Sequence, residues 1–424
     1  MYKKSEQLLD KAIQSIPLGS QTFSKSLTQY PRRVSPFFIK KGKGAKVWDV
    51  DGNEYVDFVN SLAAVTLGYC DKDIDKAVQE QMKNGVTFSL PHALEVEVAE
   101  KLIEIIPCAE KVRFAKNGTD ATSAAIRIAR AFTGKEHVAV CGYHGWQDWY
   151  IGSTSRDLGV PQCVKDLTHK FEYNNLKSLE LIFKENKLAC VIMEPMNIEY
   201  PKDDFLEKVK NLVHKNDALL IFDETITGFR YSLGGAQEFF GVLPDIATFG
   251  KGMANGHPLS AVVGSNVVMQ KVEDIFFSST FGGETLSLAA ASAVIDKYKK
   301  EGVISHLSEV GNYLIEELNK LIVENDLGDI FWVSGHPSWS FLHIKEQQKY
   351  NTFEIKTFFL QEMFKRGFLV MGSHNLSFSH SKKEVNKLLT SYVEVLPIIK
   401  KHISACDLLE NIKGDVLQPL FKVR

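Results

Sequence analysis

The sequence predicts an α/β protein with a mostly parallel central sheet in a large domain and a smaller α+β domain from both chain ends. Through the middle of the 424-residue chain, short apolar runs alternate with helical stretches. A hairpin pattern precedes them and a mixed helix–strand pattern follows. We therefore expect residues 71–310 to form the large domain, and residues 1–70 and 311–424 to form the small one.

The amino-terminal segment is predicted to be a helix followed by an antiparallel hairpin. Residues 1–16 place apolar side chains on one helical face, and Pro17 ends that helix. Strand-like stretches at 47–50 and 54–58 flank Asp51-Gly52, which is a typical hairpin turn.

Helices and buried strands alternate in the central part of the chain. Predicted helices cover 73–84, 94–106, 120–132, 176–186, 204–215 and 285–298, and predicted strands cover 112–115, 137–141, 189–193, 218–222 and 246–249. Continuous apolar strands of this kind are typical of a parallel sheet covered by helices on both faces.

The carboxyl-terminal part has a different order of elements. Predicted helices cover 305–324, 353–366 and 383–402, with strands at 339–344 and 368–371. This order is typical of an α+β domain, and we expect it to pack with the front hairpin because neither piece is large enough alone.

Charge and hydropathy exclude several classes of protein. The 50 Lys and Arg residues are balanced by 52 Asp and Glu residues, so no positive excess favours nucleic acid or acidic membranes. No run approaches the ~18 apolar residues of a membrane span, and the amino terminus lacks a secretory signal. We therefore expect a cytoplasmic protein without nucleic-acid or membrane partners.

The six cysteines show neither a C-x-x-C pair nor a zinc-like spacing with histidine. They are Cys70, Cys108, Cys141, Cys163, Cys190 and Cys406. We expect them to be small buried apolar residues, and we expect no metal site.

A lysine stands between two glycines directly after an apolar strand, in Gly250-Lys251-Gly252. Glycines at such a position let the backbone turn tightly and approach a ligand closely. A lysine placed there can form a Schiff base with an aldehyde, although a solvated lysine in a surface loop is the alternative interpretation.

Asp223 lies at the end of the apolar strand 218–222, where open α/β sheets bind their ligands. An acidic group at that position can keep a pyridine nitrogen protonated, which makes the ring an electron sink. A helix cap, a metal ligand or a ribose ligand are the alternatives.

Two turns follow other predicted strands. Asn117-Gly118-Thr119-Asp120 precedes a helix, and its N–H groups, hydroxyl and dipole suit a phosphate, unless Thr119 or Asp120 simply caps the helix. The second turn, Gly142-Tyr143-His144-Gly145-Trp146, presents an aromatic ring that could stack on a flat ligand or belong to the core.

Along the chain these four features occur in the order phosphate turn, aromatic turn, strand-end aspartate and glycine-flanked lysine. In that order they resemble the fold-type I pyridoxal phosphate (PLP)-dependent transferases. The details are most similar to the glutamate-1-semialdehyde aminomutase-like group of the class III aminotransferases. The matching stretches are 47–57 (VWDVDGNEYVD), 117–130 (NGTDATSAAIRIAR), 143–145 (YHG), 194–195 (EP), 219–230 (LLIFDETITGFR), 250–252 (GKG) and 280–283 (TFGG).

The resemblance implies a role for each matched residue at the cofactor ring. Lys251 corresponds to the catalytic lysine that holds pyridoxal 5'-phosphate as an internal aldimine and later moves protons. Asp223 corresponds to the partner of the pyridine nitrogen. Tyr143 and Thr225 correspond to residues on the two faces of the ring.

The resemblance also implies a phosphate site and an assembly. Gly118 and Thr119 correspond to the phosphate-binding turn, and Thr280 to a threonine that reaches the phosphate of a neighbouring subunit. A homodimer with shared active sites is therefore expected. His144 and Glu194 match cofactor-site motifs of the family.

Some positions depart from the family pattern. Glu284-Thr285 stands where Asn-Pro is usual. Residues 371–379 and 19–25 lack the arginines that hold a substrate carboxylate in relatives, although Arg32 or Arg33 could substitute. These losses disfavour glutamate semialdehyde as the substrate.

We therefore expect an aminotransferase that moves an amino group from a donor amine to the carbonyl of a polar, sugar-derived acceptor in carbohydrate biosynthesis. The reaction would follow a ping-pong course through the pyridoxamine form of the cofactor. Phe23, Ser24 and Trp146 are the candidate substrate residues, because they combine hydroxyl and stacking groups.

Three alternative functions compete with this one. A glutamate-1-semialdehyde 2,1-aminomutase would return the amino group to the same molecule. A nicotinamide oxidoreductase is disfavoured because no G-x-G-x-x-G follows the early strands. A non-catalytic carbohydrate-binding protein would have no use for Lys251 and Asp223 in these contexts.

Overall fold

A computed structural model describes residues 1–418, and its contacts divide the chain into two units. Unit 1 combines residues 1–71 with the described chain from Ser305 onward, and unit 2 comprises Lys72–Ile304. The helices are α1 (Lys3–Ser15), α2 (Asn60–Ala63), α3 (Lys72–Met82), α4 (Ala93–Ile105), α5 (Gly118–Thr133), α6 (Asp148–Ile151), α7 (Gln162–Lys165), α8 (Leu176–Glu185), α9 (Phe205–Lys215), α10 (Ala236–Phe240), α11 (Asn266–Met269), α12 (Thr285–Glu301), α13 (Val303–Glu324), α14 (Thr352–Lys365), α15 (Lys382–Ala405) and α16 (Leu408–Asn411). The strands are β1 (Ile39–Lys43), β2 (Lys46–Asp49), β3 (Glu54–Asp57), β4 (Lys111–Ala115), β5 (His137–Cys141), β6 (Thr168–Lys170), β7 (Leu188–Met193), β8 (Leu219–Asp223), β9 (Ile246–Phe249), β10 (Ser260–Gly264), β11 (Phe331–His336), β12 (Trp339–Ile344), β13 (Phe368–Leu369) and β14 (Ser373–Asn375).

Unit 2 contains a seven-stranded sheet in the order β4-β10-β9-β8-β7-β5-β6. Strands β6, β5, β7, β8 and β9 are parallel to one another, whereas β10 is antiparallel to both β9 and β4. The prediction of an α/β protein with a mostly parallel sheet is therefore confirmed, and β10 makes the sheet mixed.

Helices cover both faces of this sheet. On one face, the small side chains Ala121 and Ala125 of α5 let the helix lie close to Val140 and Ile192. On the other face, α8 and α9 pack against strand residues such as Phe222. Burial on both sides explains why these strands are apolar throughout.

Unit 1 contains two smaller sheets. The first has the order β1-β2-β3-β13, with β1, β2 and β3 antiparallel and β13 parallel to β3. The predicted hairpin at Asp51-Gly52 is present, and Gly52 has a φ of +96°, which favours glycine. The second sheet, β11-β12-β14, is antiparallel.

The prediction that the cysteines are buried is wrong for three of them. Cys70, Cys163 and Cys406 are exposed, and all six cysteines are free thiols. Cys70 and Cys406 lie at turns with positive φ rather than in core elements, which explains their exposure. Within residues 1–418, no helix is both long and apolar enough to cross a membrane.

Candidate active site

Two neighbouring parallel strands bring the lysine and the aspartate to the same edge of the sheet. Asp223 ends β8 and pairs in register with Thr248 of β9, and Lys251 follows Thr248 by three residues. Lys251 has a φ of +42°, which is rare for a residue with a side chain and costs about 1–2 kcal/mol. Strain of this kind is typical of functional sites.

The Asp223 carboxylate is buried and held by three donors. His144 Nδ1 lies 2.8 Å from Oδ2, and the Thr248 hydroxyl and the Thr225 N–H donate to Oδ1 at 3.2 and 3.1 Å. Burial raises the pKa of Asp223, but the hydrogen bond and charge of His144 and the Thr225 bonds outweigh it, so the pKa is lowered. The carboxylate therefore stays ionised near neutral pH.

His144 is itself buried and fixed from several sides. Its Nε2 faces the Cys141 carbonyl oxygen at 3.2 Å, and its own carbonyl accepts from the Thr122 hydroxyl at 2.7 Å. The ring stacks on Trp149, with 6.4 Å between ring centroids. Both ring nitrogens face acceptors, so the ring can donate at both positions when it carries two protons.

The segment Asn117–Thr119, which we call the cradle, forms the start of α5. Asn117 caps the helix together with Asp120, whose carboxylate accepts from the Asn117 N–H at 2.8 Å. The buried Thr119 hydroxyl accepts from the Trp146 N–H at 3.3 Å. Gly145 has a φ of +110°, and a Cβ there would lie 2.3 Å from Thr119 Oγ1. Glycine alone lets this turn approach the cradle so closely.

The Thr225 side chain lies close to both the cradle and the loop that carries Lys251, which we call the lysine loop. A Cβ built on Gly118 would lie 3.1 Å from Thr225 Cγ2, and one built on Gly250 would lie 3.4 Å from the same atom. The cradle, the segment after Asp223 and the loop that carries Lys251 therefore form one cluster in unit 2.

Glu194 supports the turn that presents Tyr143. Its Oε2 accepts from the Tyr143 N–H at 3.0 Å and from the Asn197 amide at 2.8 Å. A Cβ on Gly142 would lie 2.5 Å from the same oxygen. The Tyr143 ring is 38% exposed and meets Tyr150 edge-on, so it is available to a ligand.

The remaining candidates are exposed. Trp146 lies beside the cradle, since its N–H donates to Thr119, and Thr280 is a second exposed residue of unit 2. Phe23 and Ser24 belong to unit 1. In residues 1–418, no group of three or more His, Cys, Asp or Glu side chains is arranged to hold a metal ion.

Sequence reasoning missed Thr248 and Tyr150. Thr248 donates to Asp223, and the Tyr150 hydroxyl donates to the Gly142 carbonyl at 2.8 Å. A signal for Thr248 was present, since it is the one hydroxyl in the apolar strand β9 (IATF).

These groups fit the chemical parts of pyridoxal phosphate. An anionic carboxylate suits a protonated ring nitrogen, a primary amine suits an aldehyde, and a helix amino terminus lined by glycine suits a phosphate. Glycine at positions such as Gly145, where a Cβ would collide with the cradle, lets the backbone lie close to the cradle. The fold and the site together define a fold-type I PLP enzyme.

Comparisons with known proteins give the family. The aminotransferase class-III family model matches residues 29–378. The 3-aminobutyryl-CoA aminotransferase of Cloacimonas acidaminovorans (strain Evry) is 34% identical over 410 residues, covering 94% of this chain and 98% of the relative. The chain therefore belongs to the class III aminotransferases, a family of PLP-dependent enzymes.

Two further similarities agree with this assignment. A glutamate-1-semialdehyde 2,1-aminomutase of Francisella philomiragia is 36% identical over 337 residues, covering 74% of this chain and 77% of the relative. The PLP internal aldimine form of the FumI protein of Sphingopyxis sp. MTA144 superposes with a TM-score of 0.88 at 26% identity. That superposition covers 95% of this chain and 98% of the other.

Proposed function

We propose that this enzyme moves an amino group from a donor amine to the carbonyl group of a polar, sugar-derived acceptor. The observation that carries the proposal is the ionised Asp223 carboxylate, which His144 holds at 2.8 Å at the strand edge where Lys251 also lies. Asp223 and Lys251 thus bring a fixed negative charge and a primary amine to the same edge of the sheet, as transamination with PLP requires.

Pyridoxal phosphate supplies an electron sink for the carbon that carries the amino group. Lys251 would hold the cofactor through its amine, and that amine would move a proton at the substrate carbon. Asp223 would hold the ring nitrogen by its charge. Gly118 and Thr119 would hold the phosphate, and Tyr143 would cover the ring.

Three exposed side chains support a polar, sugar-derived acceptor. Trp146 is 66% exposed and Phe23 is 44% exposed, so both rings are available for stacking, and the Ser24 hydroxyl adds a hydrogen-bonding group. Aromatic rings and hydroxyl groups are side-chain types that suit a sugar better than a dicarboxylate.

The two arginines that could hold a substrate carboxylate are engaged elsewhere. Arg32 donates to Glu6 at 3.0 Å and also pairs with Asp10, and Arg33 pairs with Asp415. Because both arginines already pair with acidic side chains of this chain, these contacts support an acceptor that has no α-carboxylate for them to bind.

An intramolecular aminomutase is the second candidate. Relatives such as the Francisella philomiragia protein carry the name glutamate-1-semialdehyde 2,1-aminomutase, which favours it. The arginine contacts just described argue against that particular substrate. An aminomutase would need no separate donor.

A screen of donor amines against acceptor carbonyls tests the proposal. The PLP-loaded enzyme is mixed with each donor, and conversion of the cofactor to its amine form is followed by absorbance. Each acceptor is then added, and transfer of an isotopically labelled nitrogen from donor to acceptor is measured. Transfer to a sugar aldehyde or ketone supports the proposal. Efficient rearrangement of one compound without a separate donor would instead establish an aminomutase.

The proposal includes a homodimer with shared active sites. The segment Phe276–Gly283, which we call the arm, exposes 82% of Phe276 and 57% of Phe281, with Thr280 exposed between them. Leu90, in the segment before α4, is 80% exposed. Large apolar side chains exposed to this degree are typical of a protein–protein interface.

A cytoplasmic location is also proposed, supported by six free thiols.

A further inference from the structure

A mostly buried ion pair lies beside the cradle. Lys116 Nζ is 3.0 Å from Glu284 Oε2, and each side chain is 14% exposed. Burying two charges costs several kcal/mol of desolvation, and only good geometry recovers it. A pair of this kind therefore contributes more to the position of its segments than to overall stability.

The two residues border the segments to which the family resemblance assigns the cofactor phosphate. Lys116 immediately precedes the cradle, and Glu284 immediately follows the arm. Glu284 also caps α12, because its carboxylate accepts from the Leu286 N–H at 2.7 Å and from the Ser287 N–H at 3.2 Å. The ion pair thus joins the start of α12 to the start of α5.

Other contacts hold the arm against the same strand and helix. Arg113 of β4 donates to the Phe277 carbonyl at 3.0 Å, and Arg127 of α5 donates to the Phe276 carbonyl at 2.8 Å. These bonds fix the beginning of the arm, and the Lys116–Glu284 pair fixes its end.

The charges also act on the loop that follows Lys251. Burial lowers the pKa of His257, the Glu284 and Asp75 charges raise it, and the Lys116 charge lowers it further. Because both charges of the ion pair act on His257, which is six residues after Lys251, the ion pair lies near the lysine loop as well.

We propose that Lys116 and Glu284 are positioning residues that set the affinity of the site for the phosphate group of its cofactor. The pair holds the cradle in place for the phosphate of its own subunit and the arm in place for the phosphate of the partner subunit. This inference rests on the proposed function, since it presumes that the cradle binds PLP.

Affinity measurements on the apoenzyme test the inference with two ligands. PLP carries the phosphate, whereas pyridoxal has the same ring and aldehyde without it. Lys116→Met removes the charge at similar length, and Glu284→Gln keeps an oxygen to cap α12. We expect each variant to bind PLP roughly tenfold more weakly and pyridoxal within about twofold of the wild type. The double variant should be no weaker than either single variant.

A matched control and three outcomes make the test decisive. Lys101→Met breaks the Lys101–Asp296 pair (2.8 Å) of the same unit and should leave PLP affinity unchanged. The inference is overturned if both ligands weaken equally, if neither weakens, or if Glu284→Gln tightens PLP binding by freeing the Lys116 charge. A wild-type protein that does not bind PLP contradicts the proposed function as well, so the two failures are distinguishable.

Discussion

His144 Nδ1 and Asp223 Oδ2 lie 2.8 Å apart in a buried contact between two strand ends, although 79 residues separate them in the sequence. The contact gives Asp223 its lowered pKa despite burial. A carboxylate that stays ionised away from water has a stronger electrostatic effect than one at the surface.

Asp223→Asn should keep the shape of the site and remove its negative charge. We expect PLP still to bind, and kcat to fall by roughly a hundredfold or more while KM changes little, because the charge acts mainly in the transition state. Steady-state kinetics and cofactor absorbance measure both effects. Activity within about threefold of the wild type (~0.6 kcal/mol of barrier) would show that Asp223 is not the partner of the ring nitrogen.

His144→Gln should move the acid limb of the kcat–pH profile to higher pH. His144 lowers the pKa of Asp223, so its loss raises that pKa, and the carboxylate is then protonated at a higher pH. Activity would consequently be lost earlier as the pH falls. An acid limb at the wild-type position would contradict this electrostatic role.

Gly145→Ala should displace Thr119 and weaken PLP binding by roughly tenfold or more, because the new Cβ would lie 2.3 Å from Thr119 Oγ1. Titration of the apoenzyme with PLP measures this affinity. Gly159→Ala is the matched control, since Gly159 has a φ of +89° and no atom within 4 Å of the added Cβ. Equal losses in both variants would assign the effect to backbone strain alone.

Mixing two inactive variants should restore part of the activity if Thr280 completes the site of a partner subunit. In a mixed dimer of Lys251→Ala and Thr280→Ala, one site carries both changes and the other carries neither. Subunit exchange is verified by mass spectrometry, and activity is compared with that of each parent. No recovery after confirmed exchange would mean that Thr280 serves its own subunit or no site.

Two buried histidines of unit 1 should make the protein less stable in acid. Burial lowers the pKa of His374 from 6.5 to about 3 and that of His380 from 6.5 to about 4. Below pH 6.5 the unfolded chain binds protons that the folded chain does not bind, so stability falls as the pH drops toward 4. Each histidine should cost about 2 kcal/mol near pH ~5.

Urea unfolding at several pH values measures that loss. His374→Gln can retain a hydrogen bond to Ser340 or Tyr392, which contact the histidine at 2.9 and 2.8 Å. This variant should show a shallower decrease of stability with falling pH. An unchanged slope would contradict the assignment to His374.

The amino-acid sequence by itself predicted five of the seven strands of unit 2 and the long helices between them, but not β6 or the buried strand β10. Strands such as β7 (LACVIM) are apolar throughout because both faces are covered, and that composition is visible locally. The short edge strand β6 (THK) was missed because its three residues carry no apolar pattern. The residues matched to a family motif, Asp223 and Lys251, were likewise visible as local features: each follows an apolar strand.

Only the tertiary structure decided which of these features meet. Asp223 contacts His144 across 79 residues, and Lys116 contacts Glu284 across 168. Strand β10 lies between β4 and β9 and pairs antiparallel with both, although its own run (SAVVG) gives no direction or partner. Local periodicity specifies which face of an element is buried, whereas hydrogen bonds and ion pairs depend on which strand ends become neighbours. That order is set by packing of the whole sheet, so no single segment contains it.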